Sequence, residues 1–423
     1  MTRRGERRET IMKTIYTSMS RRNVLRSGAA ALAVSAAGEG LTFGLTSTLA
    51  RAADETQKKS NRILVVLELS GANDGLNTLV PFADDAYYKL RPQIGIPAGK
   101  LLKIDDHYGF NGGMKGFERL FKDGNLAVLH GCGYAQPSFS HFTSMAYWHT
   151  AAPNSGQALG WVGRLADTLD PAGTSNYIVN ISESQSLAVN ASMHTPVVFN
   201  DPDRFMRKGD AAVRPMFDVI EDPEKAETNA QKYLRQVAAS ARDASQQVRE
   251  AWSHYKTPVD YGILSLGLNK IASLIAAGMP TRLYYTSYPH NTFDTHVHQA
   301  DAHARYLTYV SDAVAGFMRD MERIGRADDV SVLIFSEFGR RAAENTSLGT
   351  DHGTANLMFI VGKTVRGGHY GTPSSLTELM PDGNLQYTTD FRRVYATMIE
   401  GWLQHADSAS ILRDKFETFP VFG

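Results

Sequence analysis

Carboxylates and imidazoles are concentrated in four short polar segments that lie far apart in this chain. The first three follow apolar runs and the last precedes one: Asn73-Asp74-Gly75, the segment from Asp294 to His298, Ser336-Glu337-Phe338-Gly339-Arg340 and Thr350-Asp351-His352-Gly353. Mixed oxygen and imidazole ligands suit zinc, manganese or iron. If the fold brings these segments together, they indicate a metal-assisted hydrolase.

The densest of these segments contains Asp294, His296 and His298. His298 follows Asp294 by four residues, which places two side chains together on a helix, whereas His296 follows by two, which does so in an extended chain. Both histidines are therefore candidate metal ligands. A carboxylate that caps the next helix, with a histidine hydrogen-bonded to it, explains the same residues without a metal.

A carboxylate and an arginine follow the apolar run from Val330 to Phe335. At the carboxyl end of a strand, Glu337 could bind a metal or take a proton, and Arg340 could bind an anionic substrate. The alternative is an ion pair between Glu337 and Arg340 or its neighbour Arg341.

Two further segments supply candidate metal ligands. Asp351 and His352 stand just before the last apolar run, where a metal or substrate role competes with a loop hydrogen bond. Asp74 follows the first apolar run and is a candidate ligand because of that position. Its pairing with Gly75 is by itself typical of any turn.

A nucleophile is indicated in the segment Gly131 to Phe142, which follows an apolar run and leads into a predicted helix through Trp148. A hydroxyl at the start of a helix faces its positive end, where anions bind. Ser140 is the first candidate and Ser138 the second, although either could simply cap the helix. His141 could act as a base, contact an anion or pack in the loop.

Strand-like apolar runs must position these residues, and helical patterns separate most of them. The runs are Ile63–Leu69, Leu126–His130, Arg282–Tyr285, Val330–Phe335 and Leu357–Val361. Long helices are predicted near 230–255, 299–324 and 390–403. This alternation predicts an α/β fold, doubly wound, with a mostly parallel sheet, helices on both faces and ligands at the carboxyl ends of the strands.

The amino-terminal residues resemble a twin-arginine export signal. Residues 1–52 hold nine Lys/Arg against three Asp/Glu, and Ser20-Arg21-Arg22-Asn23-Val24-Leu25-Arg26 precedes Ala- and Gly-rich sequence. We expect cleavage near Ala52 and a single domain with insertions over 53–423. The expected location is periplasmic or secreted, with the twin-arginine translocation machinery as partner and no stable membrane span after cleavage. The body, with 35 Lys/Arg against 41 Asp/Glu, argues against a nucleic-acid partner.

Several motifs in order over nearly the whole mature chain resemble an exported bacterial family of unknown function, numbered fifteen-oh-one among such domains. They are Leu69–Asn77, His130–Tyr134, Ser140–Phe142, Phe293–His296, Ser336–Arg340, Thr350–Thr354 and Asp390–Tyr395. The resemblance places the chain in the alkaline-phosphatase and sulfatase-like superfamily. Members of that superfamily usually hold two divalent metals beside a nucleophile.

The resemblance implies roles for single residues. Asp74 matches the metal aspartate after the first strand, Ser140 approximates the nucleophile, and His352 resembles the late histidine ligand. Asp294 with His298 resembles the superfamily's pair four residues apart, although the family itself more often has histidine at the place of His296. Glu337 falls where the superfamily has an Asp-His pair, so Phe338 replaces one expected imidazole and indicates an altered or one-metal site.

Three functions follow as hypotheses. The first is a metal-dependent hydrolase of phosphate or sulfate esters, with zinc as a candidate ion and a small anionic ester as substrate. The second is a non-catalytic periplasmic binding or assembly protein that kept the fold with a degraded metal site. The third, a metal-free serine esterase, is disfavoured because no Gly-x-Ser-x-Gly elbow frames Ser140.

Overall fold

The computed structural model describes residues 61–206 and 228–423. The chain divides into two units, Met1–Ser60 and Asn61–Gly423, and the description that follows concerns the second. The predicted signal at residues 1–52 lies outside the described residues and stays a prediction, as does the domain boundary at residue 53.

A nine-stranded sheet forms the centre of the second unit. Its path is β11-β5-β10-β9-β1-β8-β6-β7, with β12 also paired to β5, and β2, β4 and β3 form a small separate antiparallel sheet. The strands are β1 Ile63–Leu69, β2 Leu79–Val80, β3 Leu102–Lys103, β4 Gly109–Phe110, β5 Leu126–Gly133, β6 Ile178–Ile181, β7 Val197–Phe199, β8 Leu283–Tyr288, β9 Val330–Phe335, β10 Asn356–Gly362, β11 Gly368–Tyr370 and β12 Thr389–Asp390.

Within this large sheet, β10 runs antiparallel to both of its neighbours, and every other pairing is parallel. The amino end of β10 therefore lies at the same edge as the carboxyl ends of β5, β9, β1 and β8, which are consecutive in the sheet with it. This reversal explains how a motif that precedes a strand can meet motifs that follow strands.

Helices connect most of the strands. They are α1 Gly75–Thr78, α2 Asp85–Leu90, α3 Lys115–Lys122, α4 His141–Thr150, α5 Trp161–Leu169, α6 Asn229–His254, α7 Leu268–Ala276, α8 Gln299–Arg323, α9 Phe391–Ala396 and α10 Ser408–Leu412. A π-helical segment, Thr397–Trp402, continues α9. None of the described helices is long and apolar enough to cross a membrane.

The two faces of the sheet are covered by separate apolar cores. Along β1, Val65 and Leu67 face a core shared with helices α3, α7 and α8, whereas Leu64 and Val66 face a second core shared with α4, α5 and α9. Side chains alternate along a strand, so a strand that is buried on both faces must be apolar at nearly every position. The predicted fold class, a mostly parallel α/β sheet with helices on both faces, is therefore confirmed.

Candidate functional site

The predicted site residues reach one edge of the sheet from four strands, β5, β10, β9 and β8, with β1 between the last two. His141 begins α4 after β5, and His352 precedes β10. Glu337 follows β9, and Asp294 follows β8. The sequence-based expectation that these segments meet at one edge agrees with this arrangement.

Three of these side chains form a compact group that could hold a metal ion. One ligand atom from each of His141, Asp294 and His352 lies within 4.8 Å of the others. His352 Nε2 lies 3.1 Å from Asp294 Oδ1, and His141 Nε2 lies 3.5 Å from Asp294 Oδ2. Two imidazoles and one carboxylate are a ligand set that zinc commonly has in proteins.

His141 is oriented by Glu337. Its Nδ1 lies 2.7 Å from Glu337 Oε1, so we assign the ring proton to Nδ1. Nε2 is buried and makes no hydrogen bond among the described residues. Burial alone would lower the pKa of His141, but the hydrogen bond and charge of Glu337, together with Asp294, raise it above its ordinary value. The lone pair on His141 Nε2 is buried and faces Asp294, while Glu337 holds Nδ1. This is the arrangement of a metal-binding histidine, in which one ring nitrogen binds the ion and a carboxylate holds the other.

The Nδ1 atom of His352, like that of His141, lies beside an oxygen acceptor, but here the acceptor is a backbone carbonyl. Its Nδ1 lies 2.8 Å from the carbonyl oxygen of Phe139, which leaves Nε2 toward Asp294. Burial, together with the nearby Arg340, keeps the pKa of His352 below its ordinary value in spite of Asp294. The neutral ring is the form that binds metals.

His296 rather than His298 joins this group, which resolves the choice between them. His296 Nε2 lies 2.9 Å from Asp294 Oδ1 and 3.0 Å from His352 Nε2. His298 is exposed, has a left-handed backbone with φ 45°, and precedes α8 without a capping hydrogen bond from its side chain. The structure therefore places His298 outside the group, because the segment is not yet helical at Asp294.

Asp351 supports His296 instead of belonging to the compact group. Its Oδ1 lies 3.4 Å from His296 Nδ1 and accepts a hydrogen bond of 3.1 Å from the Asn345 side chain. The structure corrects its predicted role as a ligand to that of an orienting acceptor.

Asp294 remains ionised in this environment. Burial alone would raise the pKa of Asp294, but the hydrogen bond and the charge of Arg340 lower it to about 2. An ionised carboxylate is the form that a divalent cation needs.

Glu337 was predicted as a ligand and is corrected to a residue behind the ligands. It is fully buried, and Oε1 accepts a 2.8 Å hydrogen bond from the Gly71 amide in addition to contacting His141. Ser336 donates to Oε2 over 3.0 Å. Both oxygens are thus already engaged, so Glu337 positions His141.

Arg340 was predicted to bind a substrate anion, and its geometry contradicts that role. The side chain is buried, and it donates to the carbonyl oxygens of Gly71, Ala72, Phe293 and Thr350. The same guanidinium donates to Asp294 Oδ1 over 2.7 Å. Arg340 therefore fastens the loops that carry the site.

Asp74 also lies outside the compact group. Its Oδ2 forms a 2.6 Å ion pair with the buried Arg91 and accepts from Gln299. Its Oδ1 accepts from the backbone amides of Leu76 and Asn77 at the start of α1. Donors already engage both carboxylate oxygens, so the structure does not bring Asp74 together with the other predicted ligands.

Ser140 caps a helix, which was the alternative to its predicted role as a nucleophile. It is exposed and caps α4, with Oγ 3.5 Å from the Thr143 amide. Ser140 lies directly before His141. Its Oγ is the acceptor in the capping contact, which therefore does not use the hydroxyl hydrogen. Phe338, which replaces the expected imidazole, is buried and stacks on His141 with ring centroids 5.0 Å apart.

Sequence reasoning missed the residues that hold the ligands in place. Ser336 binds Glu337, the Phe139 carbonyl binds His352, and Asn345 binds both Asp351 and the His296 carbonyl. Ser336 directly precedes Glu337, which was its only signal. The contacts of Phe139 with His352 and of Asn345 with His296 join distant parts of the chain, whereas Asn345 lies only six positions before Asp351.

Comparison with solved structures finds low overall similarity. The lipoteichoic acid synthase LtaP from Listeria monocytogenes is 10% identical with a TM-score of 0.37, covering 78% of this chain and 75% of that one. A protein in the alkaline phosphatase superfamily from Vibrio parahaemolyticus is 11% identical with a TM-score of 0.35, covering 73% and 62%. The PsFucS1 sulfatase from Pseudoalteromonas sp. is 12% identical with a TM-score of 0.38, covering 88% and 73%. Scores this low carry no argument about activity.

Sequence comparison identifies the family. No curated protein matches the chain. A family profile described as "Protein of unknown function (DUF1501)" matches residues 61–416, which is most of the chain. The chain therefore belongs to the DUF1501 family.

Proposed function

We propose that this protein is a metal-dependent hydrolase of phosphate or sulfate esters, with one divalent ion, zinc, held by His141, Asp294 and His352. The observation that carries the proposal is the buried Nε2 of His141, which faces Asp294 with no hydrogen-bond partner among the described residues. A metal would satisfy that lone pair, since each imidazole already has its Nδ1 next to an oxygen acceptor.

The metal ligands, Arg340 and His296 have different places in this proposal. Three protein ligands leave a zinc ion an open position for substrate. When bound, the ion would neutralise charge on the ester, which matters because Arg340 is engaged with backbone carbonyls and Asp294. His296 is partly exposed, and its Nε2 lies 2.9 Å from Asp294 Oδ1, beside the proposed ligands.

Removal of the metal tests the proposal. We expect p-nitrophenyl phosphate or p-nitrophenyl sulfate to be hydrolysed by the native protein, at a rate that falls at least about 100-fold after chelation and returns with zinc. A rate unchanged by chelation would favour the metal-free serine esterase. Stoichiometric metal without turnover of either ester would favour the non-catalytic binding protein.

Ser140 is the nucleophile in this proposal. Its Oγ would bond to phosphorus or sulfur as the alcohol leaves, and water would then release the acid and restore the hydroxyl. In the same assay, Ser140→Ala should lose at least about 100-fold in kcat, whereas Ser138→Ala should change kcat less than about threefold. Equal effects of the two changes would remove Ser140 from the mechanism.

Glu337→Gln tests the arrangement behind the ligands. Glutamine keeps the size of the side chain but removes the charge that holds His141 Nδ1–H. We expect zinc affinity to fall about 10- to 100-fold, the usual effect of losing an orienting carboxylate. Competition with a chromophoric chelator measures this. The control is Glu344→Gln, which alters a carboxylate that contacts Gln93 and Ile94 amides instead; an equal loss in both variants would contradict the role of Glu337.

We also propose export by the twin-arginine machinery, which is supported by the basic segment around Arg21 and Arg22. The measurement is the periplasmic fraction of a reporter fused after residue 60. We expect that changing both arginines to lysine abolishes reporter export. Export that persists in the double variant, or that is blocked only by inhibiting the general secretory route, would contradict the proposal.

A further inference from the structure

A cavity of about 280 Å³ lies apart from the candidate metal ligands. None of His141, Asp294 and His352 is among the described residues that line it. Much of its wall is apolar, and one part carries imidazoles. The apolar wall includes Leu76, Leu79, Pro81, Leu357, Leu376 and Leu385. The wall also carries polar residues, which include Asp84, His107, Arg340, Asn356, Ser374 and Thr377. A cavity with an apolar part and a set of polar groups is typical of a small-molecule site.

His130, which lines the cavity, is the end member of three hydrogen-bonded groups, and the other two lie behind it. Asp105 Oδ2 lies 3.0 Å from His369 Nε2, and His369 Nδ1 lies 2.8 Å from His130 Nε2. His130 is buried and lines the cavity. His130 Nδ1 has no hydrogen-bond partner among the described residues.

The order of the three groups fixes where each proton lies. Asp105 is ionised, since amide hydrogen bonds from Tyr108 and His107 lower the pKa of Asp105 although burial opposes this. It therefore accepts the proton of His369 Nε2, which makes His369 Nδ1 an acceptor for His130 Nε2–H. Burial and the neighbouring His369 lower the pKa of His130 to about 3, so its Nδ1 carries a lone pair.

Tyr108 holds the imidazole rings of His130 and His369 in place. Its ring lies 5.4 Å from His130 and 5.3 Å from His369, centroid to centroid, and the two imidazoles stack at 5.0 Å. The acceptor at His130 Nδ1 is therefore preorganised. A preorganised acceptor favours ligands that donate a hydrogen bond over those that cannot.

We propose that this cavity binds a small uncharged molecule with an aromatic or alicyclic body and one hydroxyl group, which donates its hydrogen bond to His130 Nδ1. The apolar wall takes the body of the ligand. The site shares Arg340 with the surroundings of the proposed metal ligands, but it uses none of those ligands and needs no metal.

Two matched probes test the proposal in the native protein. They are 4-ethylphenol and 1-ethyl-4-fluorobenzene, which has fluorine in place of the hydroxyl group. We expect the phenol to bind at least about 10-fold more tightly, measured by ligand-observed NMR titration, because only the phenol can donate to His130. Equal affinities, or no binding of either probe at millimolar concentration, would overturn the proposal.

Variants locate the acceptor and separate this site from the metal ligands. His130→Phe should abolish the preference for the phenol, whereas His107→Phe, a change of an exposed histidine at the same cavity, should keep it. Chelation and Asp294→Ala should leave the preference unchanged. Retention in folded His130→Phe, or loss on chelation, would contradict the assignment. The comparison in the native protein stands even if His130→Phe fails to fold.

Discussion

Replacing Asp294 with alanine is expected to remove ester hydrolysis and to weaken zinc binding by about 100-fold or more. Asp294 is the carboxylate of the compact group, lying 3.5 Å from His141 Nε2 and 3.1 Å from His352 Nε2. Without it, neutral imidazoles alone would face the charge of the ion. Structural zinc sites bind with about 10–16 kcal/mol over four ligands, so one ligand accounts for roughly 3 kcal/mol.

Asp301→Ala is the matched control for this change. Asp301 is an exposed carboxylate in the first turn of α8, seven positions along the chain, and it is outside the compact group. We expect its zinc affinity and hydrolysis to equal those of the native protein within about twofold. Native zinc affinity in a folded Asp294→Ala protein would contradict the assignment of the ligands.

Replacing Arg340 with methionine is expected to destabilise the fold by about 3–5 kcal/mol, because several buried carbonyl oxygens would lose their donor at roughly 1–3 kcal/mol each. The guanidinium satisfies buried carbonyl oxygens in loops after β1 and β8 as well as Asp294. Methionine preserves much of the packing volume but leaves those acceptors without donors. The effect should appear as a lower urea midpoint with the metal removed.

The neighbouring Arg341→Met serves as control for this stability measurement. Arg341 is only partly buried, and its Nε makes no hydrogen bond among the described residues. Its free energy of unfolding should change by less than about 1 kcal/mol. If Arg340→Met were as stable as Arg341→Met and instead lost only substrate affinity, Arg340 would be an anion-binding residue after all.

The fold was predictable because its strands are buried on both faces. The continuous apolar runs at Ile63–Leu69 and Val330–Phe335 are strands with those bounds. The polar residues that follow each strand lie at the expected edge of the sheet. The shorter strands β6 and β7 were not predicted. The antiparallel direction of β10 was also outside the prediction, because apolar periodicity does not encode strand direction.

The division of labour within the site was not predictable, because it depends on contacts between distant residues. Glu337 and His141 are 196 positions apart, and their hydrogen bond turns a predicted ligand into a positioning group. Arg91 similarly occupies Asp74 from 17 positions away. Spacing alone favoured His298 equally with His296, until the left-handed backbone at His298 excluded it from the group.

The missing imidazole at Phe338 therefore has a structural explanation. Phe338 packs against His141 and His352, with centroids 5.0 and 4.9 Å away, and so supports the ligands from one side. With Glu337 behind His141 and Asp74 paired to Arg91, the described residues favour a single metal. This sharpens the proposal to a one-metal hydrolase.

Anomalous X-ray diffraction at the zinc edge, on crystals of zinc-loaded protein, tests this central claim most directly. We expect one peak at this edge of the sheet, about 2.0–2.2 Å from His141 Nε2, an Asp294 oxygen and His352 Nε2. A peak coordinated instead by Glu337 or Asp74, or no peak beside Asp294 at full zinc loading, would contradict it.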